Sequence, residues 1–339
     1  MRRQSEDRYK DFARQEGQKG QRVISKEDRV RINELRKRRY KKRRRIRFIS
    51  FLSKSTMLFF LVLLIGAFLF KIKDGLLDHS KNDPNNRSDL SIEQESNEVL
   101  QNKIGKPRIR VGNELVTRLK DLSKQDQKFE EIYYNRDSYP EALIASLCNN
   151  PEMIDFVKGY LTADQKVTGT IKKKELSKPF PLLLQWDKRW GYASYGDNNI
   201  ALSGCAPTCL SMVAVALTKN GTYTPDVVSN YAMSSGYYIS GTGTKWSLMT
   251  EGGQRFGVKG KSISLNKKTV ITELDKGNPI ICSVRAGDFT TSGHFIVLVG
   301  VRDGKIQVND PNCIERSNRL WDYDTLSSQI KNLWVFTKL

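Results

Sequence analysis

Gly204-Cys205-Ala206-Pro207-Thr208-Cys209-Leu210-Ser211-Met212-Val213-Ala214-Val215-Ala216-Leu217 is the stretch from which the rest of the chain is best understood. A glycine entry, a proline in the first turn and an almost unbroken apolar run read as the start of a buried helix. Cys205 then sits at the helix N-terminus. Unpaired backbone N–H groups and the positive end of the macrodipole favour an anionic sulfur there, so such a thiol can become a nucleophilic thiolate near neutral pH. A cysteine further inside an apolar element is usually a small buried hydrophobe, and Cys209 and Cys282 read that way.

A cysteine nucleophile needs a base, and the chain has only two histidines. His79 lies in a polar stretch beside the most apolar segment of the protein. His294 opens the apolar run Gly293-His294-Phe295-Ile296-Val297-Leu298-Val299-Gly300 and is the single candidate whose imidazole suits the task.

The formal charge of +20 is concentrated at one end: residues 1–47 hold 20 Lys/Arg against 7 Asp/Glu. This excess ends immediately before Ser55–Phe70, a run of 16 residues without a charge. Extended back to Phe48 it admits only Lys54, which can snorkel, so a full crossing of about 20 residues is feasible. Basic residues crowd its N-terminal side, so the positive-inside rule predicts a cytoplasmic N-terminus and an outward-facing remainder. Lys71-Ile72-Lys73-Asp74 offers no small-residue cleavage site, which favours an uncleaved anchor over a signal peptide. The basic tail reads as a topogenic, lipid-facing segment, and no nucleic-acid partner is expected.

Five cysteines are an odd number for an outward-facing chain, so at least one thiol of a monomer stays unpaired. Cys205 and Cys209 are one helical turn apart, a poor geometry for bridging. With so few histidines and no His-Glu-x-x-His run, neither a metal site nor a cofactor is expected. Oligomeric state is not legible.

The predicted organisation is a basic cytoplasmic tail (1–47), a transmembrane anchor (48–70), a flexible Asp/Asn/Ser-rich linker (71–106), a small helical module (107–165) and a catalytic domain (178–339). In the module, Asn113 is expected to cap a helix carrying Leu115, Leu119, Leu122, Phe129 and Ile132, and Pro140 and Pro151 to start two shorter ones. A spacer lifting the catalytic domain off the membrane accounts for this module as well as any regulatory role. In the catalytic domain helices are predicted at 225–234, 244–255 and 267–275, and strands at 278–284, 293–302 and 304–309, the last two joined by an Asp303-Gly304 hairpin turn. Helices followed by an antiparallel sheet make an α+β fold.

Gln185, Cys205, His294 and Asp310 occur in an order and setting that resembles the papain-like cysteine peptidases, and more narrowly the C39-like peptidases related to bacteriocin-leader endopeptidases. The stretches that carry the resemblance are Gln185-Trp186-Asp187-Lys188-Arg189-Trp190-Gly191, Gly204-Cys205-Ala206-Pro207-Thr208-Cys209-Leu210, Gly293-His294-Phe295-Ile296-Val297-Leu298-Val299-Gly300 and Val308-Asn309-Asp310-Pro311. The resemblance implies a nucleophile helix packed on an antiparallel sheet. It also implies Cys205 as nucleophile, His294 as general base, Asp310 orienting the imidazole, and Gln185 with the Cys205 N–H as oxyanion hole. The hairpin through Asp303-Gly304 places residue 294 opposite about 313, so Asp310 reaches His294 if a bulge intervenes. Asn309 is the rival orienting residue, and Asp310-Pro311 also suits a plain strand end. Trp186, Trp190, Tyr192 and Tyr195 read as packing, whereas Trp246 is placed to border a cleft.

The reading is of a membrane-anchored, extracellular cysteine peptidase acting on a peptide or protein. Its alternatives are a hydrolase of cell-wall peptides and a catalytically silent peptide-binding module. The exporter-fused relatives have several spans and a nucleotide-binding domain; this chain shows one span and no Gly-x4-Gly-Lys-Ser/Thr loop, so a double-glycine cleavage preference does not carry over.

Overall fold

The computed structural model describes residues 104–164, 167 and 169–339. The expected tail, the span at 48–70 and nearly all of the linker lie outside the described residues. Among the described residues no helix is long and apolar enough to cross a membrane.

Among the described residues four helices come first: α1 (Gly112–Gln125), α2 (Glu130–Tyr134), α3 (Glu141–Asn149) and α4 (Ile154–Gly159). Leu115, Leu119, Leu122, Ile132, Leu143 and Leu147 meet in their shared core. Two expectations need correcting. Val111, not Asn113, is the N-cap of α1 and makes no side-chain cap bond; Gly112 takes φ +51 and turns the chain into the helix two residues early. The predicted continuous helix stops at Asp126, whose extended backbone and side-chain bond to the Lys128 N–H start a separate 3-10 turn. Pro140 sits at the N-cap of α3, and Pro151 in the first turn of the 3-10 segment leading into α4.

The core of these helices is not closed on itself. Ala201, Trp186, Tyr192 and Leu202 complete it, and Phe156 of α4 stacks on Tyr192 with ring centroids 4.2 Å apart. The four helices and the segment that follows therefore share one apolar cluster.

After α5 (Lys173–Leu176) come a two-stranded ribbon, β1 (Ser194–Tyr195) with β2 (Asn198–Asn199), and the short α6 (Ile200–Ser203). The apolar run follows as α7 (Cys205–Thr218), with Cys205 its first residue and Gly204 its N-cap. Next are α8 (Pro225–Ser234), a small hairpin of β3 (Tyr238–Ile239) and β4 (Gly243–Thr244), α9 (Ser247–Thr250), β5 (Val258–Ser262), α10 (Lys267–Asp275), β6 (Ile280–Arg285), β7 (Gly293–Arg302), β8 (Lys305–Asn309), α11 (Ile314–Asn318), β9 (Leu320–Trp321), α12 (Tyr323–Ser327) and β10 (Ile330–Lys338). The helix predicted at 244–255 survives only as α9, because Gly252 and Gly253 carry the chain on as a 3-10 turn.

The main sheet is antiparallel, in the order β5-β10-β6-β7-β8-β9. The arrangement is α+β. Alternate residues of β6 and β7 face opposite ways. Ile281, Phe295 and Val297 join Trp334 and Phe336 in the core built around α7, while Ile280, Cys282, Ile296 and Leu298 join Val270 and Leu274 of α10 on the other side. With both faces covered, β7 reads as a continuous apolar run rather than an alternating one.

Candidate active site

One helix start, one strand start and two loops converge on the site, each set by its own sequence. Cys205 stands at the start of α7, where Gly204 is needed: a Cβ there would lie 2.6 Å from the Ile200 carbonyl oxygen. The next ten residues, Ala206 to Val215, are buried, so the helix cannot roll or slide without breaking the core. Cys205 itself is only partly buried, whereas Cys148, Cys209, Cys282 and Cys313 are buried, and all five thiols are free. Burial pushes the Cys148 thiol up to about 11 and Cys313 to about 12, and raises Cys209 and Cys282 as well. These four are poor nucleophiles in the folded state.

His294 is the second residue of β7, paired across to Val284. Asp303 (φ 53) and Gly304 (φ 71) make the predicted tight turn, from which β8 returns antiparallel. The register runs 302↔305, 301↔306 and 300↔307, then shifts between Leu298 and Gly300 to give 298↔308 and 297↔309. That bulge draws the end of β8 toward His294. His294 Nε2 lies 2.7 Å from Asp310 Oδ1, with His294 7% exposed and Asp310 fully buried. The other imidazole nitrogen is free of that contact, and Cys205, at the start of α7, is the second group acting on the ring. Burial works against the imidazolium, but the Asp310 carboxylate and the hydrogen bonds from both neighbours outweigh it and hold His294 up to about 10.

Asp310 is oriented from every side. Oδ1 also accepts the Asn312 N–H at 2.8 Å, the Asp310 N–H donates to Ser317 Oγ at 2.9 Å, and Arg316 Nη1 approaches Oδ2 at 3.4 Å. Arg316 is 1% exposed, a buried guanidinium beside a buried carboxylate. Asn309 faces elsewhere, donating to the Pro181 carbonyl at 3.3 Å.

Gln185 is brought into the same region, but its side chain bonds none of the other three. Its Nε2 donates to the Ala201 carbonyl of α6 at 2.7 Å, its own N–H donates to Pro311 at 2.8 Å, and its buried Oε1 has no partner. Through its side chain and its backbone, Gln185 thus ties the segment just before Cys205 to the one just after Asp310. The turn that carries it is locked: Trp190 Nε1 donates to Leu184, Arg189 pairs with Asp187 and Glu175 at 2.7 Å each, and a Cβ on Gly191 would lie 3.0 Å from the Gln185 carbonyl oxygen.

Residues 177–338 match the model of the Peptidase_C39 like family. The segment is a C39-like cysteine peptidase domain. Two solved structures resemble it. The peptidase domain of Streptococcus ComA, described as a bi-functional ABC transporter involved in quorum sensing, is 19% identical over 40% of this chain and 92% of that one, with a TM-score of 0.32. The Streptococcus mutans ComA peptidase domain in complex with a small-molecule inhibitor is 20% identical over 27% of this chain and 76% of that one, with a TM-score of 0.21. No curated protein matches the chain.

Within this C39-like domain the aromatic residues divide. Trp190 and Tyr195 are buried, and Tyr192 is fixed by its stack on Phe156. Trp186 reaches the Asn312 carbonyl through Nε1 at 2.8 Å. Trp246 is 43% exposed, edge-on to Trp334 and under Lys331. Among the described residues no three His, Cys, Asp or Glu side chains cluster as a metal site. Arg316, Ser317 and Trp186 are the site residues that sequence reasoning missed; Asp-Pro-Asn followed by a polar turn carries no mark that separates them from surface residues.

Proposed function

We propose that the chain is a membrane-anchored peptidase whose domain acts outside the cell, with Cys205 as nucleophile, His294 as base, Asp310 as its orienting carboxylate and Gln185 as an oxyanion donor. One observation carries the roles: a single imidazole lies 2.7 Å from the Asp310 carboxylate and is favoured as imidazolium by that carboxylate and by Cys205, which stands where α7 begins.

With the thiol's proton already resting on the imidazole, the Cys205 thiolate attacks the peptide carbonyl, forming a C–S bond. The carbonyl electron pair moves to oxygen, where the Cys205 N–H and the free N–H of the Gln185 amide donate to it. Collapse of this intermediate breaks the C–N bond, and the imidazolium returns its proton to the departing amine. Water, deprotonated by the neutral imidazole, then adds to the thioester, and the C–S bond breaks to release the acid and the thiol. Asp310 holds the ring in the tautomer with the proton on Nε2 and stabilises the imidazolium. The anchor rests on the uncharged run Ser55–Phe70 behind its basic flank.

Cys205→Ala and His294→Ala are each expected to abolish hydrolysis of a peptide library by the full-length chain while leaving the circular dichroism spectrum unchanged. Retained hydrolysis by either folded variant would contradict the dyad.

A further inference from the structure

The four N-terminal helices reach directly to the segment that holds Asp310. Glu152, between α3 and α4, accepts the Ile314 N–H on one carboxylate oxygen at 2.7 Å and the Glu315 N–H on the other at 2.9 Å. These are the first two N–H groups of α11, which a helix cannot satisfy from within. Asn150, fully buried, donates its amide to the Asn312 carbonyl and accepts the Glu152 backbone N–H at 3.2 Å, so its side chain fixes the backbone that carries Glu152. Helix α11 has five residues, too few to fix its own orientation. Two of them, Arg316 and Ser317, grip Asp310.

We propose that Glu152 and Asn150 are positioning residues for the His294–Asp310 contact, which makes the helical module a working part of the peptidase and not a spacer. The proposal rests on reading Asp310 as the orienting carboxylate. Contacts run from Glu152 to α11, from α11 through Ser317 and Arg316 to Asp310, and from Asp310 to His294. Other holds on α11 are the Trp321 indole donating to the Arg316 carbonyl at 3.0 Å, the Cys313 thiol accepting the Arg316 N–H at 3.4 Å and the Ile104 N–H on the Glu315 carboxylate; Glu152 is the one that ties the first two N–H groups of the helix to the helical module.

The charged and titratable groups facing His294 are Cys205 from α7 and Asp310, with Arg316 behind the carboxylate. Loosening Asp310 therefore weakens the larger of the two influences that favour the imidazolium. The chain's two histidines allow His294 to be followed individually by NMR in the full-length protein labelled at histidine. In Glu152→Ala its titration midpoint is expected to fall by about 1 pH unit, and kcat for a cleaved library peptide to fall on the order of 10-fold to 100-fold at similar KM. Glu152→Gln, whose single amide oxygen can accept only one of the two N–H groups, should recover part of both.

Ile314→Pro removes one of the two hydrogen bonds from the other partner, at a first-turn position that tolerates proline, and guards against a Glu152→Ala chain that fails to fold. It should reproduce part of the shift. An unmoved His294 midpoint in either folded variant would overturn the positioning role. The titration needs no turnover, so a wild-type chain whose hydrolysis does not depend on Cys205 would instead overturn the catalytic roles.

Discussion

At the scale of single residues, the decisive relation is between one imidazole and two opposite neighbours. The folded value of His294, about 10, stands above the unfolded 6.5, so its contribution to stability is complete below pH 6.5 and is lost as pH rises toward about 10. The urea midpoint of the wild-type chain should therefore decline across that window, and Asp310→Asn should flatten the decline. Parallel slopes for the two proteins would mean that the carboxylate does not hold the proton on His294. Gln185→Ala is expected to lower kcat by about 10²–10³; a change confined to KM would remove Gln185 from the oxyanion site. Cys205 and His294 were legible because scarcity and position single them out: a helix-start cysteine, and one histidine opening an apolar strand. Arg316 was not, since nothing in the sequence distinguishes a buried guanidinium that braces a carboxylate from the many arginines on the surface.

At the scale of elements, the site depends on close approaches that only small residues permit. Gly204 caps α7 with a Cβ position 2.6 Å from the Ile200 carbonyl oxygen, a backbone atom that cannot step aside. Gly204→Ala should cost about 1–3 kcal/mol in urea unfolding and slow hydrolysis by moving Cys205; a variant as stable and active as wild type would refute this packing argument. The β7–β8 hairpin was legible from Asp303-Gly304 and its apolar flanks, and the helix at 267–275 from its Asn266 cap, which accepts the Thr269 N–H at 3.2 Å. Strand β10 was not foreseen. Its Leu333-Trp334-Val335-Phe336 run lacks a hairpin signal on either side, and its place between β5 and β6 is a long-range pairing that local pattern does not encode. The helix predicted at 244–255 failed for the opposite reason: its apolar spacing was right, but the paired glycines broke it.

At the scale of the whole described unit, helices α1–α4 and the peptidase domain share an apolar cluster as well as the Glu152 bonds. Phe156→Ala, which removes a ring 1% exposed and stacked on Tyr192, should cost about 3–5 kcal/mol. Because the cluster is common, thiol labelling of Cys148 in α3 and Cys282 in β6 should rise at the same urea concentration in wild type and variant alike; Cys148 labelling well before Cys282 would show two independent units. The sequence drew a boundary between module and catalytic domain from composition, and it could not show that buried residues on both sides complete one core. The central claim is covalent chemistry at Cys205, and the most direct measurement is mass spectrometry of the full-length chain, acid-quenched during turnover of a peptide library. The account predicts an acyl adduct on Cys205 in wild type and none in His294→Ala. Peptide cleavage that continues with Cys205 replaced by alanine would contradict it.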